Sequence, residues 1–236
     1  MAFMPIDLIC IDADDTLWHN MRFFHATQDA LVQMLEPFAD AGIAASALEA
    51  CEIRNLKLYG YGAKAFTLSM IETALELGGD EVPASVIRDI LEAGKALHAH
   101  PVELFDGVEE TLAALAERAR LVLVTKGDLF HQEAKLAASG LGELFTGIEI
   151  VSDKKPATFA GIFERHAVEP SDALMAGDSM RSDIIPALEA GAWAAYIPQP
   201  LTWSHEQRSA PSDNPRFVEL PSLAALVNWL DRVEAA

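Results

Sequence analysis

Cationic side chains are scarce in this chain: 17 lysines and arginines stand against 36 aspartates and glutamates, a formal charge of −19. That balance repels nucleic acid polymers and anionic lipid surfaces, so a polyanionic partner is excluded. A small anionic ligand would need cations gathered locally. Cysteine is nearly absent. Cys10 lies in an apolar run and Cys51 in a helical stretch, a spacing that makes neither a disulfide framework nor a zinc site and reads as two buried thiols in a reducing compartment. No run approaches the roughly 20 apolar residues of a membrane span. The opening MAFMPIDLICIDADD has no basic residue before its apolar run and meets acids at once, unlike a secretory signal. A cytoplasmic protein without a membrane partner is the expectation. The seven histidines (His19, His25, His98, His100, His131, His166, His205) show no paired ligand spacing, and His98 and His100 fall on different helix faces, which sets histidine-ligated metal chemistry aside.

What is present is ample apolar content, 51% of 236 residues, enough for one large domain or two unequal ones. Ile6–Ile11 is a short apolar run rich in β-branched residues, the pattern of a buried parallel strand. Four further strand candidates follow at Leu121–Thr125, Gly147–Val151, Ala173–Gly177 and Trp193–Ile197, separated by helical patterns near 107–119, 129–139, 157–166 and 184–190, with another at 223–234. Strand and helix alternate, so the class is α/β, a Rossmann-like parallel sheet with right-handed crossovers and helices on both faces. Between the first and second strands, residues 20–100 carry helix-period apolar positions and no strand. Helices are expected near 21–35, 46–58, 65–77 and 85–99. The reading is a catalytic core of residues 1–19 and 101–236 with an inserted α-helical bundle, residues 20–100. The segment 198–215 is the one extended loop-like stretch.

Chemistry concentrates where the strands end. Asp12, Asp14 and Asp15 follow the first strand directly, and side chains at the C-terminal strand ends of a parallel sheet converge on the crevice where ligands bind. Acids so crowded repel one another and are commonly neutralised by a divalent cation. The second strand runs into Thr125, Lys154-Lys155-Pro156 precedes a helix, and LMAGDSMRSD sets Asp178 and Asp183 just past another apolar strand. All four segments share one edge of the sheet.

In this order the four segments resemble the motifs of the haloacid dehalogenase (HAD)-like hydrolase superfamily, capped phosphatase subgroup. Asp12-Ala13-Asp14-Asp15-Thr16 matches DxDx[TV], Thr125 the second motif, Lys155 with its proline the third, and Gly177-Asp178 with Asp183 the fourth. The resemblance implies that Asp12 is a nucleophile forming an aspartyl-phosphate and that Asp14 acts as general acid and base, a role needing a raised pKa. It implies Mg²⁺ held by the Asp12 carboxylate, the Asp14 backbone carbonyl and Asp178, with Asp183 behind them orienting a metal-bound water or Lys155. Thr125 would bind phosphate oxygens and Lys155 would offset the charge shared by Asp12 and phosphate. The Lys-Pro pair favours Lys155 over Lys154. Two positions depart from the pattern: Lys126 stands where asparagine is common, changing how phosphate or a cap group is held, and Asp15 stands where glycine is common. Residues 20–100 would be the cap, with Lys64 in its Tyr59–Lys64 turn reaching the substrate.

The activity so implied is a Mg²⁺-dependent phosphatase of a small phosphorylated metabolite, acting as a monomer or homodimer. A phosphomutase or a phosphonate hydrolase stays open. A haloacid dehalogenase needs no metal-binding acid at the second position of the first motif, so Asp14 and Asp178 argue against it. A receiver-like signalling module or a phosphate-binding protein is the reading outside enzymes. Asp14 and the long helical insertion would then have no purpose.

Overall fold

Aliphatic runs and amphipathic stretches alternate along the chain as follows. Strand β1 (Leu8–Ile11) leads into four helices, α1 (Met21–Met34), α2 (Ala41–Tyr59), α3 (Ala63–Gly78) and α4 (Ala84–His98). Then come α5 (Val108–Ala116), β2 (Arg120–Lys126), α6 (Leu129–Ser139), β3 (Gly147–Val151), α7 (Pro156–Arg165), β4 (Ala173–Gly177), α8 (Ile185–Glu189), β5 (Trp193–Tyr196), β6 (Phe217–Glu219) and α9 (Ala224–Glu234). The computed structural model describes residues 6–234. They fall into two units, Asn20–Pro101 and the residues flanking that segment on either side.

In the flanking unit all six strands are parallel, in the order β3-β2-β1-β4-β5-β6. Chain order reverses between β1 and β4, the switch point at which open α/β sheets bind ligands. Strand residues alternate between the two faces. Ile9 and Ile11 pack with Leu112 and Leu115 of α5, Leu136 of α6 and Leu226 of α9. Leu8 and Cys10 face the other way, onto Phe159 and Phe163 of α7 and Ala187 of α8. Both faces are covered, which is why these strands read as unbroken apolar runs. Cys10 is fully buried there, and burial pushes its thiol up to about 12, so it is a packing residue. β6 was absent from the sequence expectation because its three residues sit at the end of a polar loop. Where the insertion leaves and returns, Phe105 N–H donates to Leu17 O and His19 N–H to Glu103 O, tying residues 17–19 to residues 103–105.

The Asn20–Pro101 unit is a four-helix bundle with its own core, including Leu31, Leu35, Leu48, Phe66, Met70, Ile90 and Leu97. α2 starts five residues before the expected Ser46, because Asp40 provides an extended N-cap backbone ahead of a run of alanines. Gly94 sits where an added Cβ would lie 2.2 Å from Thr67 Oγ1, so α3 and α4 are packed at a distance only glycine permits. Among the described residues, no helix is long and apolar enough to cross a membrane.

Candidate active site

β1 and β4 lie side by side at the switch point, and their ends bring Asp12 and Asp178 together. Asp12 is anchored by its backbone N–H, which donates to Ala176 O at 2.9 Å. The loop after β4 returns Asp183 beneath them through a single wide helical turn, Met180–Ile184. Oxygens of Asp12, Asp178 and Asp183 all lie within 4.8 Å of one another, and all three residues are buried. Burial, with Asp183 and Asp14 adding to it and Lys154 opposing it, pushes the Asp12 carboxyl up to about 7. Burial and then the charges of Asp12, Asp183 and Asp15 raise Asp178 well above its usual range. Three hard oxygen donors, two of them reluctant to ionise without a cation, are the donor set that a divalent metal such as Mg²⁺ suits. Gly177 makes the arrangement feasible: a Cβ there would fall 2.3 Å from Asp183 Oδ2.

The lysine of the site is Lys154, a correction to the sequence reading. Its ammonium donates to Asp12 Oδ1 and, at 2.6 Å, to Asp183 Oδ1. Burial pulls its pKa down, but Asp12 and Asp183 outweigh that and raise it, so it stays charged. Lys155 is the N-cap of α7, its side chain exposed and 3.2 Å from Asp153. Its backbone is extended, with φ −122° and ψ 164°, so neighbouring side chains point opposite ways and only one of the two lysines can face the crevice. Pro156 marks where the helix begins; it carries no information about which lysine turns inward.

Asp14 departs from expectation as well. Its Oδ1 accepts from Lys135 Nζ at 2.5 Å and Trp18 Nε1 at 2.7 Å, and its Oδ2 from Gln132 Nε2 at 3.0 Å. Burial favours the neutral acid, yet these donors, Lys135 foremost, hold the carboxyl below its usual range. The raised pKa expected for an acid catalyst is not there in this state. Gln132 and Lys135 stand three apart on α6 and project from one face. Gln132 Nε2 also donates to Thr125 Oγ1 at 2.6 Å, leaving the Thr125 hydroxyl its own proton to donate. Asp15 adopts a left-handed backbone with φ 60°, which accounts for glycine being common at that position.

Lys126 is engaged within the protein: its ammonium donates to Glu206 Oε1 at 2.6 Å and Ser182 Oγ at 2.7 Å. Glu206 comes from the long loop between β5 and β6 and is buried. Lys64 is exposed in the first turn of α3. Gln132, Lys135 and Glu206 were not singled out as site residues from sequence, and Lys154 stood there as the less favoured alternative to Lys155. α6 also carries His131 and Glu133, so its sequence pattern did not set Gln132 and Lys135 apart.

A family model described as haloacid dehalogenase-like hydrolase matches residues 6–191. A haloacid dehalogenase-like family hydrolase from Xanthomonas campestris is 40% identical, with 98% of this chain and 92% of that one covered at a TM-score of 0.87. A 2-haloacid dehalogenase from Pseudomonas syringae shares the fold at 24% identity, covering 96% of this chain and 99% of that one with a TM-score of 0.62. The N-acylneuraminate-9-phosphatase of Rattus norvegicus is 28% identical over 142 residues, 55% of each chain, so the match spans about half the length of that relative. With most of its length matched by the family model, and its strand-end motifs meeting in one crevice, the chain belongs to the haloacid dehalogenase-like hydrolases.

Proposed function

We propose that this hydrolase removes phosphate from a small phosphomonoester, with Asp12 as nucleophile and Mg²⁺ as cofactor. The observation that carries the reading is the buried Asp12–Asp178–Asp183 cluster with Lys154 paired to Asp12 and Asp183. An attacking carboxylate, an ammonium to offset phosphoryl charge and a site for a divalent cation stand together, as phosphoryl transfer requires. The phosphatase activity named for the rat relative supports the same chemistry.

In this account an Asp12 oxygen attacks phosphorus as the bond to the leaving alcohol breaks, giving an aspartyl-phosphate. Lys154 orients Asp12 and offsets the negative charge that Asp12 and the phosphoryl group share. Thr125 donates its hydroxyl proton to a phosphate oxygen. Asp14 gives a proton to the leaving oxygen, then takes one from the water that hydrolyses the acyl phosphate. For the first of these steps it must gain a proton despite Lys135, and a closed site with phosphate bound would favour that. Mg²⁺, held by Asp12, Asp178 and the Asp14 carbonyl, supplies charge neutralisation when bound.

The helical unit acts as the cap that sets substrate choice and shields the site from water. Lys64 serves there as a cation for the substrate's anionic groups, and Lys64→Ala raises KM with a smaller change in kcat. The deciding experiment is phosphate release by the purified protein across a phosphomonoester panel that includes phosphorylated sugar acids, with Mg²⁺ and with EDTA. Turnover that needs Mg²⁺ and is lost in chelator is expected. Full activity in EDTA, or no release from any member, would sink the reading.

A further inference from the structure

Glu206 lies far from the four motifs in sequence, on a loop with no recognisable motif, yet it is buried at the same sheet edge. Its Oε2 accepts from Ser179 Oγ and Ser182 Oγ, each at 2.5 Å, and its Oε1 accepts from Lys126 Nζ at 2.6 Å. Arg181 approaches the same carboxylate at 3.6 Å. Every hydrogen-bonded partner is the chain neighbour of a motif residue: Ser179 follows Asp178, Ser182 precedes Asp183, and Lys126 follows Thr125. One carboxylate thereby joins the fourth-motif loop to the end of β2. The inner side of that loop is tied too, since Ser179 N–H donates to Asp183 Oδ2 at 3.0 Å and Ser182 N–H to Ser179 Oγ at 2.9 Å. Glu206 itself is held by a short helical turn, its N–H donating to Trp203 O at 2.9 Å.

We propose that Glu206 is a positioning residue with two separable arms: through Ser179 and Ser182 it sets the placement of Asp178 and Asp183 and hence metal affinity, and through Lys126 it sets recognition of the phosphorylated substrate. The anion suits this place because charge-assisted hydrogen bonds are short and directional. Both carboxylate oxygens are used, so removal leaves two hydroxyls and a partly buried ammonium without this acceptor. The proposal rests on the phosphatase reading only through its metal and its substrate.

The arms are separated by titrating Mg²⁺ calorimetrically, without substrate, into wild type, Glu206→Ala, Glu206→Gln and Asp178→Asn, and by measuring KM on the best phosphomonoester. Glu206→Ala weakens Mg²⁺ about tenfold, the effect typical of groups that orient metal ligands. Glu206→Gln keeps an oxygen for the two serines but turns its amide toward Lys126; it binds Mg²⁺ better than the alanine variant while its KM departs from wild type. Were Glu206 important for stability alone, both variants would melt earlier with unchanged Mg²⁺ affinity, which overturns the proposal. A glutamine variant no better than alanine at binding Mg²⁺ would overturn it too. If Glu206→Ala does not fold, Ser179→Ala and Ser182→Ala each remove one link, and wild-type Mg²⁺ affinity in both is equally contrary. Asp178→Asn binding Mg²⁺ like wild type defeats the metal assignment itself, independently of Glu206.

Discussion

Among the described residues, two places gather three metal-competent side chains within 4.8 Å of one another: Asp12, Asp178 and Asp183 at the sheet edge, and Cys51, Glu72 and Glu76 between α2 and α3. They differ in how their charge is met. At the sheet edge three buried carboxylates crowd together, Lys154 pairs with two of them, Asp12 and Asp183, and burial and mutual repulsion raise the pKa values of Asp12 and Asp178. In the bundle, Glu72 accepts from Asn55 at 3.0 Å, Tyr59 at 3.2 Å and Cys51 at 3.6 Å, and Glu76 pairs with Arg54 at 2.5 Å. The Asn55 hydrogen bond leads in holding Glu72 below its usual range. Proximity of ligand atoms is thus common to both, and unmet negative charge belongs to one. A site built for a cation is recognised by the charge the protein leaves uncompensated.

The largest expected effect follows at the more strained of the two clusters. Asp12→Asn keeps the shape and removes the proposed nucleophile, so kcat should fall by about 10⁴-fold or more. Because it also removes one of three crowded charges, the variant should melt no lower than wild type in EDTA. Residual turnover near the wild-type rate would break the nucleophile assignment, and a large drop in melting temperature would break the account of charge crowding.

Next in size is a contrast between adjacent lysines. Lys154→Met leaves Asp12 and Asp183 buried without their shared cation, a loss of about 3–5 kcal/mol for a broken buried pair, with kcat falling steeply. Lys155→Met removes a side chain that is 69% exposed, so both kcat and melting temperature should stay near wild type. Equal effects in the two variants would mean that the crevice uses either lysine.

How much of this was legible beforehand can be read from those same residues. Strand-end positions were visible because an apolar run of β-branched residues breaks abruptly into acids or a hydroxyl at Asp12, Thr125 and Asp178. The choice between Lys154 and Lys155 was not, because it depends on the backbone dihedrals entering α7. Lys135 and Gln132 were hidden for another reason: polar residues on an amphipathic helix ordinarily face solvent. Only the placement of α6 against the sheet turns them toward Asp14. Glu206 lies 28 residues past Asp178 by sequence number, where no periodicity relates loop to motif. Local pattern is written in neighbouring residues; charge pairing across the fold is not.

The pH response sharpens the comparison further. Burial raises the Asp12 carboxyl from its ordinary value of 3.8 to about 7 in the folded chain, so between these the unfolded chain releases its proton while the folded chain retains it. Its contribution to stability is therefore fully present below about pH 4 and lost as pH rises toward 7. In EDTA the melting temperature of wild type should decline across that window more than that of Asp12→Asn. Mg²⁺ should reduce the decline, since a cation favours the ionised cluster. Parallel curves for the two proteins would show that Asp12 ionises freely in the fold.

The smallest expected effect lies in the bundle. Glu76→Gln breaks its ion pair with Arg54, but both side chains are about half exposed, 51% and 52%, and exposed pairs of this kind contribute about 0–1 kcal/mol. Glu72 keeps its contacts with Asn55, Tyr59 and Cys51, so the buried polar row between α2 and α3 should persist. Turnover and Mg²⁺ affinity are expected to match wild type, and any rise in melting temperature that Zn²⁺ produces by binding the sheet-edge carboxylates should be the same in both proteins, because Arg54 and Asn55 already meet the charge that a metal in the bundle would neutralise. A larger rise with Zn²⁺ in wild type than in Glu76→Gln would reverse this ranking. Cys51, Glu72 and Glu76 would then be a second cation site, and ligand proximity a sufficient criterion after all.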